Sequence, residues 1–172
     1  MWWVVDALLL ALALSSGPLG SQAGGAPAQE PVPLALRVNG AIARGVELLK
    51  RRQLESGHWP GHEQDHPGGL TALCAYTLVV SGVPRAGPSL ARGLDALAPV
   101  EFRSTYSTSV RLLLLEALGE PERWRPAAQS CVGFLAERQT RGLWPYPWGE
   151  PDMSNTQLAL LGLRAASRMG AE

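Results

Sequence analysis

The sequence predicts an all-α fold of three helix hairpins, and three observations predict it. Apolar residues recur at helical spacing in six stretches after residue 33. Within each pair of stretches the first carries charges and the second is apolar nearly all round. Short landmarks recur along the chain in one common register.

The elements follow in order. Leu34, Val38, Ile42, Val46 and Leu49 define a helix ending near Gln53, and residues 54–67 form a loop. Leu70, Leu73, Cys74 and Leu78 define a second helix over 69–81, closed by Gly82. Pro88 opens a short third helix to about Ala98, and Ser104–Leu118, closed by Gly119, form a fourth. Pro126 opens a fifth, which runs to about Gln139. Asp152 or Ser154 caps a sixth that extends to about Arg168, with Gly170 beyond it.

The register between hairpins is set by separate landmarks that agree. Thr71, Thr108 and Thr156 each head an apolar second helix, and Arg44-Gly45 recurs as Arg92-Gly93 in a first helix. Gly57 and Trp59 reappear as Gly142 and Trp144, displaced by 85 residues, as Thr156 is from Thr71. Amphipathic first helices predict an outer layer with one wet face, and apolar second helices predict an inner one. Stacked hairpins of this kind curve into a solenoid or close into a ring.

With 172 residues the chain suits one domain. Fifteen basic and fifteen acidic residues cancel, so no field for nucleic acid or acidic lipid is expected. Residues 1–23 read as a signal peptide. Trp2–Val5 and Ala7–Leu14 are apolar but too short to span a bilayer, and Ser21 and Ala23 stand where a signal peptidase reads before Gly24. The expectation is an exported protein, periplasmic or extracellular, without a stable transmembrane segment. Asp6 and the missing basic start oppose that reading, and a leader on a cytosolic protein is the alternative. Residues 24–33, rich in Gly, Pro and Ala, read as a flexible lead-in to a repeat domain over 34–170. Cys74 and Cys131 fall inside apolar helical patterns and read as buried thiols; whether they pair is left open.

Residues 44–59, RGVELLKRRQLESGHW, resemble the glutamine-tryptophan repeat of squalene-hopene cyclases. Arg44, Gly45, Leu48, Leu49, Gln53, Gly57 and Trp59 occupy the motif positions. A second copy keeps Phe134, Leu135, Gln139, Gly142 and Trp144 but has Ser130 and Cys131 in place of the basic residue and Gly; the middle hairpin keeps Arg92 and Gly93. The resemblance extends over residues 34–170 and points to the terpenoid cyclase and protein prenyltransferase superfamily. It implies an alpha-alpha toroid in which Gln and Trp brace the helix ends rather than react; a full toroid has about twice as many hairpins, so the resemblance implies that these three form a partial (half) barrel. The apolar ends of such a half-ring are costly to leave wet, at about 25 cal/mol per Å². They imply a homo-oligomer, a missing second half, or a fragment of a longer protein.

In that family the reactive groups sit at the amino ends of the inner helices. The cyclase Asp-x-Asp-Asp acid is absent here, as is the prenyltransferase Asp-x-Cys zinc pair. Asp65, His66 and Asp152 are the candidates for acid catalysis, and helix capping is the competing role for both aspartates. The cluster from His58 to His66 holds all three histidines. His58, His62 and His66 have ligand chemistry for a divalent metal, but Pro60, Gly61 and the spacing favour a solvated loop, and no metal or other cofactor is expected. Trp148 and Tyr146 in the run Trp144–Trp148, with Tyr76 and Tyr106, are candidates for an apolar or sugar ligand; a packed plug is the competing role. The reading these features favour is an exported, non-catalytic repeat module that binds a protein partner or apolar ligand. The alternatives are acid catalysis on an isoprenoid-like substrate and a self-assembling structural module.

Overall fold

The computed structural model describes residues 33–61, 64–147 and 149–172. The expected signal peptide, all of the lead-in except Pro33, His62 and Trp148 lie outside the described residues. Pro33–Glu172 make one compact unit of six helices, so the chain is predominantly helical. The helices are α1 (Leu34–Arg52), α2 (Gly69–Val80), α3 (Pro88–Leu97), α4 (Thr105–Leu118), α5 (Pro121–Arg138) and α6 (Met153–Arg168). No described helix is long and apolar enough to cross a membrane.

Local signals explain most boundaries. Ser104 caps α4 through a reciprocal box, its hydroxyl accepting from the Ser107 N–H at 3.1 Å. Asp152 caps α6, and Pro88 and Pro121 open α3 and α5, where their missing N–H groups are no loss. Lys50, Arg51 and Arg52 in the last turn of α1 complement its carbonyl end.

One expectation about the elements needs correction, and one short pair of strands was not expected. The fifth helix begins at Pro121, and Pro126 lies inside it. Pro126 removes only a single early backbone hydrogen bond, which the rest of an 18-residue helix tolerates. Strands β1 (Trp144–Pro145) and β2 (Pro151–Asp152) pair antiparallel, and both are short enough to accommodate proline at an edge.

The second helices pack side by side, with α4 between α2 and α6. This packing is close because small residues line it. A Cβ on Gly162 would lie 2.9 Å from the Ser109 Cα, so only glycine admits α6 this near to α4. Ala159 and Ala166 continue that face and pack with Leu112 and Leu115. On the other side, Val110 and Leu114 of α4 join Ala72 and Ala75 of α2 beneath Leu90 and Leu97 of α3. Hence α3 rests mainly on α2, and α5 on α4 and α6.

The wet and dry division holds in the middle of this arrangement and fails at its edges. α1 buries no residue, and Leu34, Val38 and Ile42 of its predicted core face are exposed. Only Val46 and Leu49 near its end reach the cluster around Trp59 and Leu78. The reason is geometric, since α1 has α2 as its main neighbour. Leu160 and Leu161 of α6 are exposed in the same way.

Candidate functional site

The loops that enter the second helices carry the chain's chemistry, and a repeated hydrogen-bond pattern fixes two of them. The Trp59 backbone N–H donates to Thr71 Oγ1 (3.2 Å) while its indole N–H donates to the Leu49 carbonyl (2.8 Å). Trp144 repeats both bonds, to Thr156 Oγ1 (3.0 Å) and to the Leu135 carbonyl (2.7 Å). Each tryptophan therefore ties the end of a first helix to the head of the following second helix. Thr108 occupies the same register in the middle hairpin, where no such tryptophan precedes it. Its buried hydroxyl has no hydrogen-bond partner, a direct trace of the missing motif.

The two motif glutamines differ. Gln53 Nε2 donates to the carbonyls of Gly57 (2.9 Å) and Ser89 (2.8 Å), and Arg92 donates to Gln53 Oε1 (2.9 Å). Gln53 thus clamps α1, its loop and the head of α3, and Gly93 lies close against the Trp59 ring. Gln139 is exposed and its side chain bonds no described residue, so the expected brace is missing at that end. The brace needs a following first helix, and no described helix follows α6.

Three of the residues singled out for chemistry come together from separate hairpins. His66, before α2, meets the Tyr106 ring edge-on at 5.1 Å, and the Tyr146 ring lies 6.1 Å away. His66 Nδ1 shares a hydrogen bond of 3.0 Å with Ser104 Oγ. Tyr146 is carried here by the loop before α6, anchored where the Thr105 hydroxyl donates to the Pro145 carbonyl (2.9 Å). Gly61, His66, Leu70 and Tyr106 line a cavity of about 240 Å³. Burial, with Cys74 nearby, raises the Tyr106 phenol above its ordinary value. Sequence reasoning missed Ser104 and Leu70 as members of this corner. Ser104 showed only as a helix start, and its contact with His66 spans 38 residues.

The other candidates lie elsewhere or are engaged. Tyr76 is half-buried against the α2–α4 cluster. Asp65 is exposed. His58 Nδ1 faces Thr71 Oγ1 at 3.3 Å, apart from the Ser104 that His66 contacts. Among the described residues no three His, Cys, Asp or Glu side chains gather where they could hold a metal ion. Cys74 and Cys131 are buried free thiols, and burial pushes Cys74 up to about 11, far from a reactive thiolate.

Asp152 works as a cap. Its Oδ1 accepts from the Ser154 N–H (2.7 Å), the Ser154 hydroxyl (2.6 Å) and the Asn155 N–H (2.9 Å), and its Oδ2 from the Asn155 amide (2.9 Å). The Ser154 hydroxyl and then the Asn155 amide hold the carboxyl down at about 2, against an ordinary 3.8. The folded value lies below the unfolded one, so the ionised cap stabilises the fold above pH 3.8, and that contribution disappears as pH falls toward 2. Asp152→Ala is expected to cost about 1 kcal/mol at neutral pH. The penalty should vanish across that acid window in urea titrations; an equal penalty at both ends would contradict the assignment.

Compared with family models, curated proteins and solved structures, the chain matches none.

Proposed function

We propose that the chain is an exported, non-catalytic repeat module of the alpha-alpha toroid type seen in terpenoid cyclases and protein prenyltransferases. In this reading its aromatic corner binds an apolar ligand. The observation that carries the binding role is the convergence of His66, Tyr106 and Tyr146, from three different hairpins, beside a small cavity that Leu70 helps to line. Flat apolar rings with polar tips suit a ligand that is mostly hydrocarbon with one polar end. The twice-repeated Gly-x-Trp loops, with the same two hydrogen bonds in each, support the family reading.

Binding fits the corner better than acid catalysis. A proton donor is needed for the latter; of the three candidates Asp152 is held ionised by its capping bonds, Asp65 is exposed and outside the cavity lining, and His66 already shares its Nδ1 with Ser104 Oγ. Ser104 is no better a nucleophile, since it is buried and its oxygen is engaged by Ser107 and His66.

Titrating the full chain with farnesol, an isoprenoid alcohol, and following tryptophan fluorescence tests the proposal. Saturable binding is expected, weakened about tenfold by Tyr106→Ala through the loss of one aromatic wall. Absence of saturation, or equal affinity in the variant, would remove the corner as a ligand site.

A further inference from the structure

We infer that the two edges of the helix stack are complementary halves of one joint, and that they bind a second copy of this chain head to tail. The inference uses the hairpin register alone and is independent of any ligand at the aromatic corner.

The joint already exists inside the chain. Between α1 and α3 it consists of Gln53 clamping the Ser89 carbonyl and Arg92, Trp59 against Gly93, and Gly57 beneath the Arg92 carbonyl. Each part is present again at an edge, where no counterpart stands among the described residues. Gln139 and Gly142 repeat Gln53 and Gly57, yet Gln139 is exposed and a Cβ on Gly142 would meet nothing within 4 Å. Arg44 and Gly45 repeat Arg92 and Gly93, yet Gly45 faces open space and Arg44 forms no ion pair with a described residue. Gln53 reads a backbone carbonyl at Ser89, so the different residue at the equivalent Ala41 does not matter.

The second helices give the same answer. Leu112 of α4 is 0 % exposed where α6 covers it, whereas its repeat equivalent on α6, Leu160, is 57 % exposed. Val110 of α4 is 1 % exposed where α2 covers it, and its equivalent on α2, Leu73, is 36 % exposed. One edge thus presents Gln139, Gly142 and Leu160, and the other presents Arg44, Gly45 and Leu73. The first set has the form that receives the second. An occupant built to this register is another copy of the chain, and a head-to-tail contact repeated twice closes a two-copy ring if the rotation permits.

Light scattering on the full chain tests this, with Leu73→Glu and Leu160→Glu as variants. Both side chains are exposed in the single chain, so the fold of each chain should be kept, and unchanged helix content by circular dichroism checks that it is; the melting temperature falls only as far as association is lost. The wild type is expected at twice the chain mass, with each variant dissociating at about a hundredfold higher concentration because a buried charge lacks a partner. Mixing the two variants should restore association, since the mixture contains one intact joint. A ladder of larger assemblies abolished by either variant also supports the joint. A monomeric wild type, a variant without effect, or a mixture that stays dissociated would overturn the inference, whatever farnesol binding shows.

Discussion

Trp144→Ala is expected to be among the most destabilising single changes in this chain, costing about 3–5 kcal/mol through the large cavity it leaves. Trp144 is buried in the α4–α5–α6 cluster with Leu135, Ala128 and Ala159. Its indole N–H satisfies the Leu135 carbonyl near the end of α5, and its backbone N–H satisfies Thr156 at the head of α6. Removing the ring empties the space between two helices and leaves a carbonyl without its donor. Trp144→Phe separates the two losses. It fills most of the volume but cannot donate, and should cost about 1–3 kcal/mol, the range for an orphaned buried acceptor. Urea unfolding followed by circular dichroism measures both. Equal losses for Ala and Phe would show that the hydrogen bond matters and the packing does not.

Gly57→Ala is expected to cost about 2–4 kcal/mol, from a strained backbone and a steric clash together. Gly57 has φ of 87°, a region in which an L side chain is strained. An added Cβ would also lie 2.3 Å from the Arg92 carbonyl oxygen, which belongs to the α3 backbone and cannot rotate away. The loop would have to move, and with it the Gly57 carbonyl that Gln53 grips and the Trp59 that follows. Gly142→Ala, measured dilute enough to keep copies of the chain apart, is the internal control. Its φ is 82° but its surroundings are open, so it should lose only the conformational part, about 1–2 kcal/mol. Comparing the two melting temperatures isolates the steric contribution of α3. Equal losses would mean that α3 does not press on the Gly57 loop.

These paired positions show how far the sequence could be read. Gly57 and Gly142, or Gln53 and Gln139, are indistinguishable as motif residues, and the fold gives them different work. Gln53 joins two helices because α3 passes over it; Gln139 has the same side chain and no described helix above it. The candidate site divides in the same manner. His66, Tyr106 and Tyr146 were each recognisable as polar or aromatic groups at helix heads, but nothing local shows that they share one corner. Asp152 was legible as a cap because its partners, Ser154 and Asn155, are its near neighbours in sequence.

The sequence by itself determined the helical class, nearly all the helix ends and the register of the repeats. Caps, turn glycines and apolar periodicity act within a dozen residues, where the chain's own covalent geometry keeps the interacting groups together. Only the tertiary structure decided which equivalent residues are buried, which are bonded and which wait at an edge. Those outcomes depend on whether another helix lies across them, and contacts between residues 36 to 40 positions apart carry no local trace.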